Sequence, residues 1–587
     1  MACVTDLQCN LLYSSDFAVV SVKILRLKVA MQSHATAIPQ VDPQWWRGAV
    51  IYQIYPRSFM DGNGDGIGDL PGILARLDHV AALGVDAIWI SPFFRSPMKD
   101  FGYDVCDYRD VDPVFGTLAD FASVIERAHA LGIRVIVDQV ISHSSDQHPW
   151  FQESRQSREN PKADWYVWAD PKPDGSPPNN WLSVFGGPAW QWEARRRQYF
   201  LHNFLASQPD LNFHCAAVQQ QICADVAFWC ERGVDGFRFD ACNFHFHDPL
   251  LRDNPPVQAN ATISSVRLEN PYSMQQHRFD KNRPENLPFL QKLRATLDLY
   301  GAISLGEVGD EEALSLMAQY TAAGDKLHMA YSFNLLTAEF SAAHIRSQVE
   351  QLEANINPVG GWGCWSLSNH DVVRVATRWG TSGPDPRLAK VLLAMLASLR
   401  GSICLYQGEE LGLTEADVAF ADLQDPYGIA FWPEFKGRDG CRTPMPWNAD
   451  APHGGFSQAR PWLPMPPEHL SKSVASEEAD ADSVLHFYRQ FLAWRAQQAV
   501  LRHGEIVFLD APEPVLMHVR TFAATAMLTA FNLGPAPQVL RLPQALANRV
   551  TASDGHGLTG TSHDGLLTLP AYDGFFGTLA ATEVPNV

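Results

Sequence analysis

The sequence predicts an α/β protein in which eight parallel strands alternate with helices in a (β/α)8 barrel. From about residue 48, short β-branched or aromatic runs typical of buried strands alternate with longer segments whose apolar residues recur at helical spacing. The strand runs number eight, which is the count of a TIM barrel. They are Ala49–Tyr55, Val85–Ser91, Ile133–Val140, Val234–Ala241, Ala302–Val308, Met329–Asn334, Cys364–Asp371 and Ser402–Glu410.

Two departures from this alternation predict additional domains. Residues 143–213 are rich in Trp, Pro, Asn and Gly and lack helical periodicity over long stretches, which indicates a domain B inserted after strand 3. Beyond residue 504 apolar residues recur at every second position, which predicts a small antiparallel β domain over residues 504–587. The barrel itself then comprises residues 45–142 and 214–503, with a loop subdomain at about 411–470.

The first 44 residues do not fit the barrel pattern, and we expect them to be disordered or absent from the native protein. Lys23, Arg26 and Lys28 follow the apolar stretch instead of preceding it, which is unlike a secretory signal, and Met31 offers an alternative start. No apolar run reaches the roughly 18–20 residues of a membrane-spanning helix. The ten cysteines form no CxxC pair, so we expect a cytoplasmic protein with reduced thiols.

The net charge of −20 disfavours two classes of partner, because an acidic surface repels nucleic-acid phosphates and anionic membranes. With 46% hydrophobic and 19% charged residues the composition is that of a globular protein with a large core. The charge itself gives no positive evidence for a neutral substrate. The sequence does not set the oligomeric state.

Carboxylates follow several of the predicted strands, at the end of a barrel where active sites form. Strand 4 ends in Arg238 and Asp240, which face the same way because they alternate along the strand. Glu307 ends strand 5, and His370 and Asp371 end strand 7. Two more candidates follow strands 2 and 3, namely Asp104 and His143.

Each of these residues alone has a simpler explanation, since a single Asp at a strand end more often caps a helix or forms an ion pair. Their joint occurrence on successive strand ends favours catalysis. Glycoside cleavage needs one carboxylate to attack the anomeric carbon and one carboxylic acid to protonate the leaving oxygen. An arginine beside the nucleophile keeps it ionised, and burial or a second carboxylate keeps the acid protonated.

Several of these segments resemble conserved segments of the α-amylase superfamily. They are GVDGFRFDA (233–241), Gly306–Glu307, SNHD (368–371) and DQVISH (138–143). QPDLNF (208–213) and YQIYPRSFMDGNGDGIGDLPGI (52–73) further resemble the oligo-1,6-glucosidase and α-glucosidase branch. The likeness extends over about residues 45–587, and it implies a catalytic barrel with domains B and C, of which the C-terminal domain C is an antiparallel β-sandwich.

The resemblance implies a role for each matching residue. Asp240 matches the nucleophile of a retaining mechanism, Glu307 the general acid/base, and Asp371 the carboxylate that binds sugar hydroxyls and stabilises the transition state. Arg442 matches an arginine that grips the non-reducing end, and Ser142 departs from the family's usual Asn. The residues expected to bind substrate at the first glucose subsite are Tyr103, Asp104, His143, Arg238 and His370.

A second motif, DGNGDGIGD (61–69), places oxygen ligands at alternate positions. Its spacing resembles the start of an EF-hand loop, with Asp61, Asn63, Asp65, the Ile67 carbonyl and Asp69 as ligands. An acidic, glycine-rich turn without an ion fits the residues equally well. The family resemblance favours a structural Ca²⁺ or Mg²⁺ here, and we expect no organic cofactor.

We therefore expect a retaining α-glucosidase that hydrolyses short α-glucosides or oligosaccharides from the non-reducing end, with some α-glucosyl transfer to hydroxyl acceptors. Ala241 follows the nucleophile, where relatives that prefer α-1,6 bonds usually have Val, so we expect a preference for α-1,4 substrates such as maltose. Two alternatives remain open. One is a glucosyltransferase or isomerase of the sucrose isomerase or trehalose synthase type, and the other is a catalytically inactive binding subunit.

Overall fold

The structure is a computed structural model that describes residues 42–257, 269–380, 383–547 and 549–580. The chain divides into two compact units, Met1–Trp45 and Trp46–Val587. Only a short turn segment, residues 42–45, is described in the first unit. Residues 1–41 of the N-terminal extension, including Met31, fall outside the described residues, so the expectations for them stay predictions. The second unit contains everything reported below.

Eight parallel strands form the barrel, in the order β6-β5-β4-β3-β2-β1-β8-β7. A parallel bridge between Ala330 in β6 and Gly363, just before β7, joins the two ends of the sheet. This confirms the predicted fold class. The strands are β1 (Val50–Ile54), β2 (Ala87–Ile90), β3 (Arg134–Gln139), β4 (Gly236–Phe239), β5 (Ile303–Val308), β6 (Met329–Ser332), β7 (Cys364–Ser366) and β8 (Ser402–Tyr406).

A long helix follows each strand and covers the barrel. Their amphipathic sequences place apolar residues on the inner face, and side-chain caps fix several starts, such as the reciprocal Thr117–Asp120 capping box of α2. The helices are α1 (Leu70–Ala82), α2 (Leu118–Ala130), α3 (Ala216–Cys230), α4 (Asn286–Asp298), α5 (Ala313–Thr321), α6 (Ala342–Ile356), α7 (Pro386–Ser398) and α8 (Val484–Ala496). Shorter helices are Pro56–Phe59, Pro149–Ser154, Val375–Arg378, Pro426–Phe431, Pro467–Leu470, Val474–Ala479 and Ala499–His503.

The barrel strands are buried on both faces, which explains why their sequences are nearly continuous apolar runs and not alternating apolar and polar residues. Every residue of β1, β2 and β5 is buried. Some of their side chains, such as Val50, Tyr52 and Ile88, join one large core that includes residues from the surrounding helices. This rigid core fixes the strand ends from which the candidate catalytic residues project.

The segment between β3 and α3 forms a small layer of its own. Trp168–Ala169, Gln198–Leu201 and Trp190–Glu193 make a three-stranded antiparallel sheet. Trp181 and Trp190 stack with ring centroids 5.8 Å apart in its core. This layer carries the loops that bring Val184, Phe204 and Gln208 to the open end of the barrel.

The C-terminal region consists of two antiparallel sheets that share a hydrophobic core. The five-stranded sheet has the order β9-β10-β11-β16-β13, and the three-stranded sheet has the order β12-β15-β14. This agrees with the predicted antiparallel β domain. The strands are β9 (Glu505–Leu509), β10 (Val515–Phe522), β11 (Thr525–Asn532), β12 (Gln538–Arg541), β13 (Thr551–Ala552), β14 (Thr561–His563), β15 (Leu566–Leu569) and β16 (Asp573–Ala580).

Among the described helices, none combines the length and the apolar character needed to cross a membrane. The eight cysteines in the described part of the chain are free thiols, and five of them are buried.

Candidate active site

A cavity of about 210 Å³ opens at the carboxyl ends of the barrel strands. Asp240 directly follows β4, Glu307 is the penultimate residue of β5, and Asp371 lies beyond β7. All three carboxylates line this cavity. The structure thus brings together the three residues that the sequence marks as catalytic candidates, because parallel strands in a barrel end at one rim.

The buried side chain of Arg238 forms ion pairs with two of these carboxylates. Its guanidinium is fully buried, and Nη1 donates to Asp240 Oδ1 at 2.6 Å while Nη2 donates to Glu307 Oε1 at 2.5 Å. Nη1 also donates to Asp138 Oδ1 at 2.9 Å. A buried charge is stable only when it is paired and hydrogen-bonded, so this arginine and its three carboxylates form one unit.

The electrostatics of Asp240 and Glu307 suit acid–base chemistry near neutral pH. Burial, partly offset by Arg238, raises the pKa of Glu307 to about 7, and the neighbouring Asp240 and Asp371 raise it further. Burial likewise raises the pKa of Asp240 to about 7 against the attraction of Arg238. With both pKa values near 7, one of these carboxyls can be protonated while the other is ionised at neutral pH.

Asp371 has the opposite character. Burial disfavours its charged form, but His370, Arg438 and Arg442 outweigh burial and hold its pKa well below the usual range. Arg442 Nη2 donates to Asp371 Oδ1 at 2.8 Å. Arg438 Nη1 donates to the same oxygen at 3.2 Å. Asp371 is consequently a fixed anion, suited to accept hydrogen bonds and to stabilise positive charge, whereas Glu307 is suited to donate a proton.

The prediction that Asp104 lines the sugar site needs correction. Its carboxylate is fully buried away from the cavity, where it accepts from Ser96 Oγ and from the backbone N–H groups of Lys99 and Asp100. Asp100 lines the cavity instead. The chain reverses between the two aspartates, with φ of 52° at Phe101 and 109° at Gly102, and this reversal turns Asp104 back onto its own loop.

The predicted arginine grip also differs from the structure. Arg442 is 1% exposed and lies behind the cavity wall, where Nε donates to the His370 carbonyl at 2.7 Å. Arg438, four residues earlier, lines the cavity and donates through Nη2 to Asp100 Oδ1 at 2.8 Å. A single 3₁₀ turn, Asp439–Cys441, separates the two arginines.

The remaining predicted residues lie at or just behind the same wall. Tyr103 and His143 line the cavity, whereas Arg238 and His370 are fully buried and act through their neighbours. The Tyr103 hydroxyl lies 2.6 Å from His370 Nε2, and the rings stack at 5.3 Å. Ser142, where the family usually has Asn, places Oγ 2.9 Å from His143 Nδ1 and so fixes that ring.

Much of the remaining cavity lining is apolar. It is formed by residues that sequence reasoning did not single out, because they come from separate loops without a common motif. They are Val184, Phe185, Phe204, Phe244, Tyr272, Phe333, Leu336, Val372 and Tyr427. The cavity therefore combines charged groups, among them Asp100, Asp371 and Arg438, with an aromatic and aliphatic lining, and the Phe185 ring lies 5.3 Å from the Arg438 guanidinium.

Ala241 lines the cavity next to Asp240, as expected for a residue that could influence linkage preference. Its backbone lies in the left-handed region, with φ of 42°, and its N–H donates to Glu307 Oε2 at 3.2 Å. This hydrogen bond from the Ala241 backbone helps to hold the acid in place. A β-branched residue at position 241 would be strained at such a φ.

The acidic loop between β1 and α1 lies apart from this cavity. Asp61 accepts from the N–H groups of Asn63, Gly64 and Gly66, and Asp65 Oδ1 accepts from the Ile67 N–H. Asp69 caps α1, while its Oδ2 is buried with no hydrogen-bond partner in the part of the chain that the structure describes. No group of three or more His, Cys, Asp or Glu side chains is arranged around a common metal position within the described ranges.

Fold and site together define an enzyme with paired carboxylates in a barrel, the class to which glycoside hydrolases belong. The catalytic domain of the alpha-amylase family matches residues 53–504. The protein belongs to the alpha-amylase family of glycoside hydrolases, which confirms the resemblance seen in the sequence.

Individual relatives are similar over nearly the whole chain. A probable alpha-glucosidase of Rhizobium meliloti (strain 1021) is 54% identical over 94% of this chain and 100% of its own length. An oligo-1,6-glucosidase of Parageobacillus thermoglucosidasius is 34% identical over 85% of this chain and 92% of its own length. Among solved structures, the alpha-glucosyl transfer enzyme XgtA is 58% identical with a TM-score of 0.89, covering 91% of this chain and 99% of its own. The trehalulose synthase MutB of Pseudomonas mesoacidophila is 30% identical with a TM-score of 0.82, and the match covers 92% of this chain and 100% of MutB.

Proposed function

We propose that the protein is a retaining α-glucosidase that removes single glucosyl units from the non-reducing end of short α-glucosides and also transfers them to hydroxyl acceptors. Asp240 is the nucleophile, Glu307 the general acid/base, and Asp371 the anion that binds sugar hydroxyls. The names of the relatives, alpha-glucosidase and alpha-glucosyl transfer enzyme, support this substrate class.

The observation that carries the proposal is the shared guanidinium of Arg238. Asp240 and Glu307 each bind one of its terminal nitrogens, at 2.6 and 2.5 Å, so their carboxyl groups lie close together. Retaining enzymes keep their two carboxyls about 5–5.5 Å apart, whereas inverting enzymes leave room for a water between them. Both carboxyls line one cavity and are placed to act on a single glycosidic bond, as formation of a covalent glucosyl-enzyme requires.

The ion pair between Asp100 and Arg438 in the cavity wall supports action on one terminal unit. Asp100 and Arg438 approach from different loops and pair at 2.8 Å, and Asp425 Oδ1 accepts from Arg438 Nη2 at the same distance. A longer glucan chain would have to break this buried ion pair to extend beyond the first sugar.

The aromatic and aliphatic lining of the cavity supports transfer. Once a glucosyl-enzyme has formed, an organic hydroxyl competes with water for the anomeric carbon. Apolar walls favour an organic acceptor over water because binding it removes apolar surface from water. Hydrolysis and transfer then differ only in which hydroxyl Glu307 deprotonates.

Product analysis tests the proposed function and its linkage preference together. With maltose, isomaltose and sucrose as separate substrates, we expect glucose release to be fastest from maltose, and added alcohol to yield an α-glucoside. Isomerised disaccharide as the main product from sucrose would favour the isomerase alternative. No glucose or glucoside from any of the three would contradict the proposal.

We expect the substitution Ala241→Val to shift specificity from maltose towards isomaltose. The added methyl groups fill space beside the scissile bond, and the additional rotatable bond of an α-1,6 linkage lets the leaving sugar avoid them. Such a change in a pocket contributes about 1–3 kcal/mol of discrimination. The measurement is the ratio of kcat/KM for the two sugars, because strain at φ 42° lowers both rates. Ala241→Gly, which relieves that strain without adding bulk, is the control, and a Val variant with an unchanged ratio would show that other loops set the preference.

We also propose that the loop Asp61–Asp69 holds a structural Ca²⁺ or Mg²⁺. The donor set is oxygen-rich and suits a hard cation. The buried, unpartnered Asp69 Oδ2 supports a cation nearby, as does the pKa of Asp69, which burial and the adjacent Asp61 and Asp65 raise. The ion would stabilise the turn between β1 and α1 and would take no part in the chemistry.

Chelation should therefore lower Tm more than it lowers activity at 25 °C, because an ion that binds only the folded state stabilises it by linkage. The double variant Asp61→Ala/Asp65→Ala should have a lower Tm that EDTA no longer changes. Differential scanning fluorimetry of both proteins, with and without EDTA, checks this. A wild-type Tm that is insensitive to EDTA would exclude a structural ion in this loop.

A further inference from the structure

The active-site cavity adjoins a second, more open groove of about 570 Å³ beside the loop that follows the acid Glu307. This outer groove is lined in part by Gln276, Arg278, Glu311 and Gln319. Of the residues found to line either space in the described part of the chain, Lys281 is the one that lines both. Lys281 is thus a wall shared by the catalytic cavity and the outer groove.

Contacts on both sides hold the Lys281 side chain in this position. It is 2% exposed, and Nζ donates to the Gly309 carbonyl at 3.0 Å and lies 3.1 Å from Asp310 Oδ2. Nζ also lies 5.2 Å from the ring centroid of Phe244 and 5.6 Å from that of Tyr272. Since Gly309 and Asp310 follow the acid Glu307, Lys281 ties its own segment to the loop after β5.

The next residue reinforces the same junction. The Asn282 N–H donates to the Asn243 carbonyl at 2.8 Å, and Asn282 Nδ2 donates to Asp310 Oδ2 at 2.6 Å. Asn243 Nδ2 in turn donates to Asn282 Oδ1 at 2.8 Å and to the Gly309 carbonyl at 3.2 Å. The loop after the nucleophile, the loop after the acid and residues 281–282 therefore form one hydrogen-bonded barrier.

We propose that Lys281 is a specificity-determining residue that ends the leaving-group side of the cavity and so restricts the enzyme to substrates with a short leaving group. This inference rests on the proposed α-glucosidase function. The outer groove presents exposed amide, carboxylate and guanidinium groups, among them Arg278, Glu312 and Gln319. Such groups can bind the hydroxyls of additional sugar units once the barrier is removed.

The test compares chain-length preference in wild type and Lys281→Ala, with kcat/KM measured on maltose and maltotetraose. We expect wild type to prefer maltose, and we expect the alanine variant to raise the maltotetraose-to-maltose ratio about tenfold, the scale of one substantial pocket contact. Lys281→Arg keeps a cation within reach of Gly309 and Asp310 and should retain the wild-type ratio. Lys292→Ala, at an exposed lysine bonded to Gln219 on the outer face of α4, is the matched control.

If the alanine variant still cleaves maltose and its maltotetraose-to-maltose ratio of kcat/KM equals that of wild type, the inference is overturned and the α-glucosidase proposal is left intact. A wild-type enzyme that cleaves no α-glucoside would instead contradict the proposed function. If the alanine variant does not fold, Lys281→Met serves in its place, since it keeps the apolar stem but loses both contacts of the ammonium group. We expect a smaller rise of the ratio in that variant, and an unchanged ratio there would also overturn the inference.

Discussion

Substituting Asp240 by Asn is expected to lower kcat/KM on maltose by at least about 10⁴-fold, close to 5.5 kcal/mol of transition-state stabilisation. Asn has nearly the same shape, but it cannot attack the anomeric carbon and form the covalent intermediate. Arg238 keeps two other carboxylate partners, Asp138 and Glu307, so the variant should fold. Steady-state kinetics together with Tm separate loss of chemistry from loss of structure.

Asp298→Asn is a suitable control for that experiment. Asp298 is exposed and pairs with Arg294 on the surface of α4, where an ion pair contributes about 0–1 kcal/mol. We expect wild-type kinetics from this variant. Maltose turnover by Asp240→Asn within tenfold of wild type would exclude Asp240 as the nucleophile.

Substituting Glu307 by Gln is expected to lower kcat/KM on maltose by about 10²–10⁴-fold, the usual contribution of a general acid. The loss should be much smaller for an aryl α-glucoside whose phenol is acidic, because such a leaving group needs little protonation. Glu350→Gln, at an exposed position on α6, is the matched control. An equal loss on both substrates would assign Glu307 a role other than proton donation.

The same substitution changes the pH profile in a defined direction. Glu307 must be protonated to act, and burial raises its pKa to about 7, so wild-type kcat/KM should fall as the pH rises above about 7. Asp240 must be ionised, and burial raises its pKa to about 7 as well, so the rate should also fall at lower pH. In Glu307→Gln the alkaline decrease should disappear when an activated aryl glucoside is the substrate.

The sequence predicted those parts of the site that come from regular structure. Asp240, Glu307 and Asp371 follow β-branched or aromatic runs that are typical of buried strands, and strands of a barrel end at one rim. Arg238 was predictable for the same reason, since it alternates with Asp240 along β4. Local pattern and global fold agree at these positions.

The sequence could not predict the parts of the site that depend on loop geometry. Asp100 and Asp104 flank the same Phe-Gly-Tyr run, and only the positive φ values at Phe101 and Gly102 decide which carboxylate faces the cavity. Arg438 and Arg442 are likewise separated by one 3₁₀ turn that determines which one faces the substrate. Lys281 showed no motif at all, because its role depends on contacts with Gly309 and Asp310 from another loop.

The central claim, a covalent glucosyl-enzyme on Asp240, is tested most directly by trapping that intermediate. A 5-fluoro-α-glucosyl fluoride reacts with a retaining α-glucosidase and leaves a sugar whose release is slow, so peptide mass spectrometry can locate it. We predict that one fluoroglucosyl unit is added to the peptide containing Asp240, and that Asp240→Asn acquires none. A sugar attached to a different residue, or turnover of maltose with release of β-glucose as the first product, would contradict the account.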